Sequence, residues 1–515
     1  MIEVLKSIKV ESGKDNQLVK LDILSSGNVE VYPKSINELN GVLFFIGKIG
    51  ILKSLFLISN DKSNQLFDKF NGEITEQDNG YFVKNCPLVH SNALKIQENF
   101  PFTIPQLLGL NNSFGFGDRI GLANHAHVRS LEGSEFKPVF AQQSIRELTR
   151  TKRTPEQVMD AAIWAVFQES FKTGFGADAD HLKTTDDIDL MINAGFTMFT
   201  FDPGEFVINE ADSISVAELE KKAKELNWDV LADSVKGLVT RYDDKVFDLR
   251  EGLIINPSYE DVMRAMVKYG NAIAHIKTLF DYLSTEYFNV PYEVEISVDE
   301  TESVTTPFEH FFMASELSRL NVKIISLAPR FIGDFEKGID YKGDIEVFKT
   351  EYLKHVKIAE YFGSYKISLH SGSDKFGVYK AIGSLKRGYT HVKTAGTSYL
   401  EALKVVAARN PEEFRKILDF ARIEYEKEKQ TYHVSADLKY VKESKDYTDE
   451  ELVDLFTQND ARQVLHVTFG KVLTTLDEKG NLLFKDKIYD CLKKNEELHY
   501  KFLIKHFKNH LDPFK

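Results

Sequence analysis

Two hydrophobic patterns divide the chain. Over the first hundred residues, short apolar runs such as LVKLDIL and VLFFIG alternate with polar turns such as NDKSN, the spacing of half-buried strands punctuated by turn residues. This predicts a small α+β accessory domain over residues 1–100. From about Pro101 the pattern changes to short apolar strands separated by stretches of helical period, the signature of parallel β/α units. KPVFAQQS from Lys137, TGFGADAD from Thr173, FTMFTFDPGE from Phe196 and YEVEISVDET from Tyr292 read as strands. VKIISLAPRF from Val322, YKISLHSGSD from Tyr365, YTHVKTAGTS from Tyr389 and TYHVSAD from Thr431 bring the count to eight. Eight parallel strands predict closure into a TIM-type (β/α)8 barrel, since an open doubly wound sheet usually has fewer strands and a phosphate-binding glycine turn after the first. The glycines of SFGFGDRIG have the wrong spacing for that turn and read as a loop ahead of the barrel. The catalytic barrel is expected over 101–445, with a helical insertion at 206–290 and a C-terminal helical extension, 446–515, packed outside.

Composition narrows the class. A formal charge of -13 argues against a nucleic-acid partner, because such proteins carry a basic patch. Cys86 and Cys491 are the only cysteines, which fits a reducing, cytoplasmic setting better than a disulfide framework. The N-terminal MIEVLKSIKVESGKDNQ lacks the continuous apolar core of a signal peptide. The most apolar stretch, Val42 to Ile58, is interrupted by Gly47, Lys48, Gly50 and Lys53, so a buried strand and helix fit better than a membrane span.

In a β/α barrel the active site lies at the C-terminal ends of the strands. That rule sorts the fourteen histidines. Helical patterns hold His275, His310, His355, His499, His506 and His510, and His90 lies in the first domain. Of the remaining His125, His127, His181, His370, His391, His433 and His466, three fall at strand ends: His181, His370 and His433. ADADHLK sets Asp180 beside His181, a pairing that can serve one metal site as proton shuttle and ligand. The same pair also reads as a helix N-cap aspartate followed by a loop histidine. ISLHSGSDKFG carries His370, then Ser371, Gly372, Ser373, Asp374 and Lys375, small residues whose backbone N–H groups can hold an anion. EVEISVDETE alternates Val294, Ile296 and Val298 with Glu295, Ser297 and Asp299, so its acidic face points into the barrel. A carboxylate buried there requires a metal or a basic partner. Gln142, Gln143, Arg146, Lys183, Arg330, Lys393, Thr397 and Ser398 also fall at strand ends, a set suited to a substrate with a carboxylate and several hydroxyls. No Walker loop, dinucleotide fingerprint or Ser/His/Asp nucleophile order is present.

Taken in order, GFGDRIGLANHAHV, GADADHLKT, FTFDPGE, VEISVDET, LAPRFIGDFEKGIDY, SLHSGSDKF and HVKTAGTSYLEAL resemble the tagaturonate/fructuronate epimerase family of hexuronate breakdown, over about Ser113 to His433. The resemblance implies a metal-dependent enzyme, on a TIM-type barrel, that interconverts D-tagaturonate and D-fructuronate. The Asp-His pair and the His-Ser-Gly-Ser turn are also similar to elements of class II, metal-dependent sugar aldolases. Carried over, Asp180 becomes an acid/base and His181 and His370 metal ligands. Asp374 departs from that pattern, since its charge would oppose a phosphate; a uronate fits better. The inverted carbon lies β to both ketone and carboxylate, so a carbanion there is not delocalised, and reversible carbon–carbon cleavage is the expected chemistry. The expected set is therefore Asp180 and Glu295 as acid/base pair; His181, His370 and His433 around Mn²⁺, Zn²⁺, Co²⁺ or Ni²⁺; and Arg330, as carboxylate clamp, with Gln143, Lys183, Asp299, Ser371 and Lys375 on a small-molecule keto-uronate. The competing readings are a class II-like aldolase that releases its fragments and a non-catalytic companion of an aldolase.

Overall fold

A computed structural model of the chain describes residues 5, 17–23, 27–76, 80–394 and 396–515. Except for Leu5 and Gln17, the N-terminal stretch weighed above as a signal peptide lies outside the described residues. Eight parallel strands form a closed barrel: β1 (Ser113–Phe116), β2 (Lys137–Ser144), β3 (Gly176–Leu182), β4 (Met198–Phe201), β5 (Glu293–Ser297), β6 (Ser326–Ala328), β7 (Lys366–Leu369) and β8 (Tyr389–Thr394). Neighbours in sequence are neighbours in the barrel, and β8 returns to pair with β1, His391 opposite Ser113 and Thr394 opposite Phe116.

The expected count is right, but one expected strand is absent and another segment takes its place. SFGF, read above as a loop, is β1. TYHVSAD forms no strand; it begins at the end of a single 3-10 turn, Lys429–Thr431, and continues as irregular chain. The signal in β1 is hidden because Gly115 occupies an inward position where the space is filled by Gln142 of β2; a Cβ built on Gly115 would collide with that amide oxygen. Phe114 and Phe116 point the other way, against Phe136, Phe140 and Phe507. With β1 in place the ladder is closed, and no edge remains for residues 431–437 to join.

The outer face of the barrel is apolar: Val294, Ile296, Ile367, Leu369 and Val392 are all buried beneath the helices. The inner face is polar, carrying Asp178, Thr200, Glu295, Lys366, Ser368, His391 and Lys393, where barrels of this type usually stack branched aliphatic residues. Residues Val19–Pro87 contain a seven-stranded antiparallel sheet. Val42–Ile49 and Leu52–Ser59 within it pair as a hairpin rather than as the strand and helix expected, with Gly50 at φ +62° in the turn. This sheet packs on the helix Pro155–Glu169 through Phe44, Phe100 and Phe167. Between β4 and β5 runs a helical excursion that ends in the long helix Tyr259–Glu286, opened by a capping box between Ser258 and Asp261. Glu496–Leu511, the C-terminal helix, returns to lay Phe507 on β1.

Gly115→Val places two methyl groups against Gln142 inside the barrel, an overpacking that costs about 1–3 kcal/mol. Its thermal unfolding midpoint is expected to fall by several degrees, as measured by calorimetry at fixed scan rate. An unchanged midpoint would mean that the SFGF segment has room a barrel strand does not have.

Candidate active site

Lys393 on β8 is the centre of the barrel mouth. Its Nζ lies 2.7 Å from Asp178 Oδ2, 2.7 Å from Asp180 Oδ1, 2.8 Å from Glu295 Oε1 and 2.6 Å from Thr200 Oγ1. Burial alone would lower the pKa of this ammonium; Asp178, Asp180 and Glu295 together hold it well above its ordinary value. The three acids come from β3 and β5 because alternate residues of a strand share a face, which also puts Val294 and Ile296 outside.

Above this layer sit the two histidines. His370 places Nε2 2.6 Å from Glu295 Oε1 and Nδ1 3.2 Å from Asp299 Oδ1. His181 places Nδ1 3.3 Å from Asp202 Oδ2 and Nε2 3.9 Å from Asp180 Oδ1. Their rings are 5.1 Å apart, and Asp180, His181 and His370 each offer a donor atom within 4.8 Å of the others. Burial opposes protonation of both imidazoles, but Asp180 and Asp202 raise His181 to about 9, and Asp299 and Glu295 raise His370 to about 10. Although burial disfavours their charge, Lys393 and the histidines hold the Asp180 carboxyl, and the histidines the Asp299 carboxyl, far below the usual range.

The group carries more negative than positive charge. Asp178, Asp180 and Glu295 surround one buried ammonium, Asp202 and Asp299 stand against the two imidazoles, and this negative charge favours the protonated form of both rings. Glu295 Oε2 is buried without a hydrogen-bond partner. Two imidazoles, a carboxylate and an excess of buried negative charge fit a divalent transition metal. His181, Ser371 and Asp374 hold φ of +53°, +50° and +61°, left-handed conformations that cost about 1–3 kcal/mol each outside glycine. All three lie at or just beyond the C-terminal ends of β3 and β7.

The other expected residues divide. Ser371 faces the site and accepts a hydrogen bond from Lys337 Nζ at 2.5 Å. Asp299 positions His370. Arg330, Lys337 and Arg146 line a cleft of about 440 Å³ that opens beside His370 and Ser371. Gln143 is a correction: in register with Ala179, it points away from the interior toward Glu147, while Gln142, in register with Asp178, lines the inner recess. Lys375 is another. It is fully buried, and its ammonium donates to the carbonyls of Glu336, Ile339 and Ser373, so it ties down the loop instead of facing substrate. Burial lowers it to about 7. Lys183 is exposed and paired with Glu205 at 2.8 Å. His433 does not join the histidine pair; without the strand expected to carry it, it lies exposed on the outer wall of the cleft, 3.4 Å from Asp334. Lys337 was missed altogether. It sits in a long loop after β6 with no strand or helix pattern to mark it, yet it and Arg330 are the cations on this cleft with no carboxylate partner among the described residues.

A second cluster, Asp374, His506 and His510, also brings donor atoms within 4.8 Å. His510 Nε2 accepts the backbone N–H of Asp374 at 2.9 Å, its Nδ1 donates to the His506 carbonyl at 2.8 Å, and Arg462 holds Asp374 Oδ2 at 2.7 Å. With both His510 nitrogens committed, this cluster is a seam between the C-terminal helix and the turn after β7.

Polar side chains from β3, β5, β7 and β8 converge at the C-terminal mouth of a parallel barrel, and this is the arrangement of a barrel enzyme. Comparison then gives the family. A family model described as tagaturonate epimerase matches residues 32–514, and the chain belongs to that family. It is 41% identical over 491 residues to the tagaturonate/fructuronate epimerase of Thermotoga maritima, covering 94% of this chain and 96% of that protein. The native crystal structure of fructuronate-tagaturonate epimerase UxaE from Cohnella laeviribosi superposes with a TM-score of 0.87 at 41% identity, over 95% of this chain and 97% of that one. A form complexed with one glycerol matches equally well.

Lys393→Met would leave Asp178, Asp180 and Glu295 buried without their cation. Breaking such a pair costs about 3–5 kcal/mol. The urea midpoint of the variant is expected to fall accordingly, and an undiminished midpoint would show that Lys393 does not balance these acids.

Proposed function

We propose that this chain is a cytoplasmic epimerase that interconverts D-tagaturonate and D-fructuronate by breaking and remaking a carbon–carbon bond. The observation that carries the reading is the convergence of Asp180, His181 and His370 beside two cations lacking carboxylates, Arg330 and Lys337, in a chain 41% identical to an epimerase of that name. His181 and His370, with Asp180 beside them, would hold a divalent cation, Mn²⁺, Zn²⁺, Co²⁺ or Ni²⁺, which when bound supplies Lewis-acid polarisation of the substrate ketone. Arg330 would face the substrate carboxylate from the outer cleft, which Lys337 also lines; the planar fork of Arg330 suits a bidentate grip. The free, buried Cys86 and Cys491 accord with a reducing compartment, and no helix among the described residues is long and apolar enough to cross a membrane.

Asp180 is the base. Lys393 engages one of its oxygens and keeps the carboxyl ionised, the form needed to take a proton. The carbinol hydroxyl gives its proton to Asp180, and the bond from the carbinol carbon to the carbon α to the ketone breaks. Its electron pair moves onto the α carbon and into the ketone oxygen, leaving an enediolate and an aldehyde. Glu295, held between Lys393 and His370, is the second carboxylate of the acid/base pair. The aldehyde turns its other face, the bond re-forms, and the proton returns to the new carbinol oxygen. Retention of both fragments in the recess keeps recombination intramolecular, which is worth many orders of magnitude in effective concentration. Incubating the purified chain with D-tagaturonate and added metal tests the assignment. D-fructuronate as product supports it; free three-carbon fragments would favour a lyase, and an inert chain would favour the companion subunit.

Exhaustive chelation is expected to abolish turnover, and Mn²⁺, Zn²⁺, Co²⁺ or Ni²⁺ to restore it, as followed by product formation and metal analysis. Full turnover of rigorously metal-free protein would contradict the ligand assignment. Arg330→Lys is expected to raise KM for the uronate about tenfold or more while leaving that for the matching neutral ketohexose nearly unchanged, since a point charge replaces a bidentate fork. Equal losses on both substrates would remove the clamp role.

A further inference from the structure

A cavity of about 530 Å³ lies between the N-terminal sheet, the helix Pro155–Glu169 and the last two long helices, Lys485–Lys494 and Glu496–Leu511. It shares no lining residue with the catalytic recess or its cleft. Its walls are apolar where Leu52, Leu88, Ile120, Leu122 and Leu492 meet. Three buried polar atoms on the wall have no hydrogen-bond partner: the indole Nε1 of Trp164, 5% exposed, Nε2 of His499, 2% exposed, and Nδ1 of His125.

The charges on this cavity are one-sided. Of its acids, Asp160 is paired with His90 at 2.9 Å and Glu496 with Lys53 at 2.9 Å. Arg153, Lys485 and Lys493 have no carboxylate partner among the described residues. Arg153 gives one donor each from Nη1 and Nη2 to the carbonyls of Asp118 and Gln157, two of its five, and it comes so close to Gly121 that a Cβ there would meet Nη2 at 2.9 Å. Lys485 lies near enough to Arg153 that, with burial, its ammonium is pushed below its ordinary value. On a chain of formal charge -13, a partly buried group of unpaired cations beside an apolar chamber calls for an anion with an apolar body.

We propose that this cavity is a second ligand site, separate from the catalytic recess, for a small organic anion with an apolar body. The acidic group meets Arg153 and Lys485, with Lys493 beyond them. The body lies on the leucine and isoleucine wall, and the Trp164 N–H and His499 Nε2 receive any polar atom at its inner end.

The test uses anilinonaphthalene sulfonate, an aromatic anion of this class, titrated into the full-length chain and followed by fluorescence. One saturable site per chain is expected. Arg153→Gln combined with Lys485→Gln should weaken it about tenfold or more, because both charge-assisted contacts are lost. Trp164→Phe should weaken it by a smaller factor, with near-UV circular dichroism confirming that each variant is folded. Saturating keto-uronate should leave binding unchanged. Absence of saturable binding, undiminished binding in the double variant, or displacement by the keto-uronate would each overturn the proposal. So would sedimentation showing a dimer that Leu52→Glu converts to monomer, since the cavity would then be a subunit interface.

Discussion

Lys393 stands between Asp178, Asp180 and Glu295, each at 2.7–2.8 Å, in a barrel whose inner wall is polar where aliphatic layers are usual. Three buried carboxylates could not remain ionised there without it. One ammonium does not finish the task, however, because Asp202 and Asp299 add further negative charge around His181 and His370. That charge favours the protonated form of both imidazoles. A divalent cation between them would offset the same charge with two of its own, and the metal proposed at this mouth rests on the imbalance below it.

Outside the charged layer, the structure fixes where these groups point. His181, Ser371 and Asp374 are held in left-handed conformations at the ends of β3 and β7, and strain of that kind persists only where the surroundings over-determine it. Around Asp374 the surroundings are visible: Arg462 on its carboxylate and His510 on its amide, from two different C-terminal helices. Lys375 anchors the same turn through three backbone carbonyls. The C-terminal segment thus braces the turn that follows His370, from positions 88 and 136 residues beyond Asp374.

Much of this was legible in the sequence. The alternation in EVEISVDETE is a period-two signal, and it separates Glu295 from Val294 and Ile296 without any knowledge of the partner strands. Asp180, His181 and His370 stand at strand ends, where a barrel gathers its chemistry. What was not legible depends on closure. Gly115 hides β1 because the side chain that fills its place belongs to Gln142 on the next strand, and TYHVSAD carries an alternating pattern for which a closed barrel has no vacancy. That exchange misplaced His433. Gln142 and Gln143 differ by one residue, and only the pairing with β3 decides which faces inward. Lys393 was visible as a strand-end cation, but its role requires three carboxylates from two other strands. Lys337 lies in a loop, where no periodicity marks it.

In the proposed mechanism the inverted centre is remade by cleavage of a carbon–carbon bond, with Asp180 moving only a hydroxyl proton. The most direct measurement is epimerisation in D₂O followed by NMR of the product at the inverted carbon. Cleavage and readdition leave the carbon-bound hydrogen in place, so no deuterium is expected there even after many turnovers. Deprotonation at carbon would pass that hydrogen through a carboxylate that exchanges with solvent. Deuterium at the inverted carbon, rising with each turnover, would contradict the mechanism.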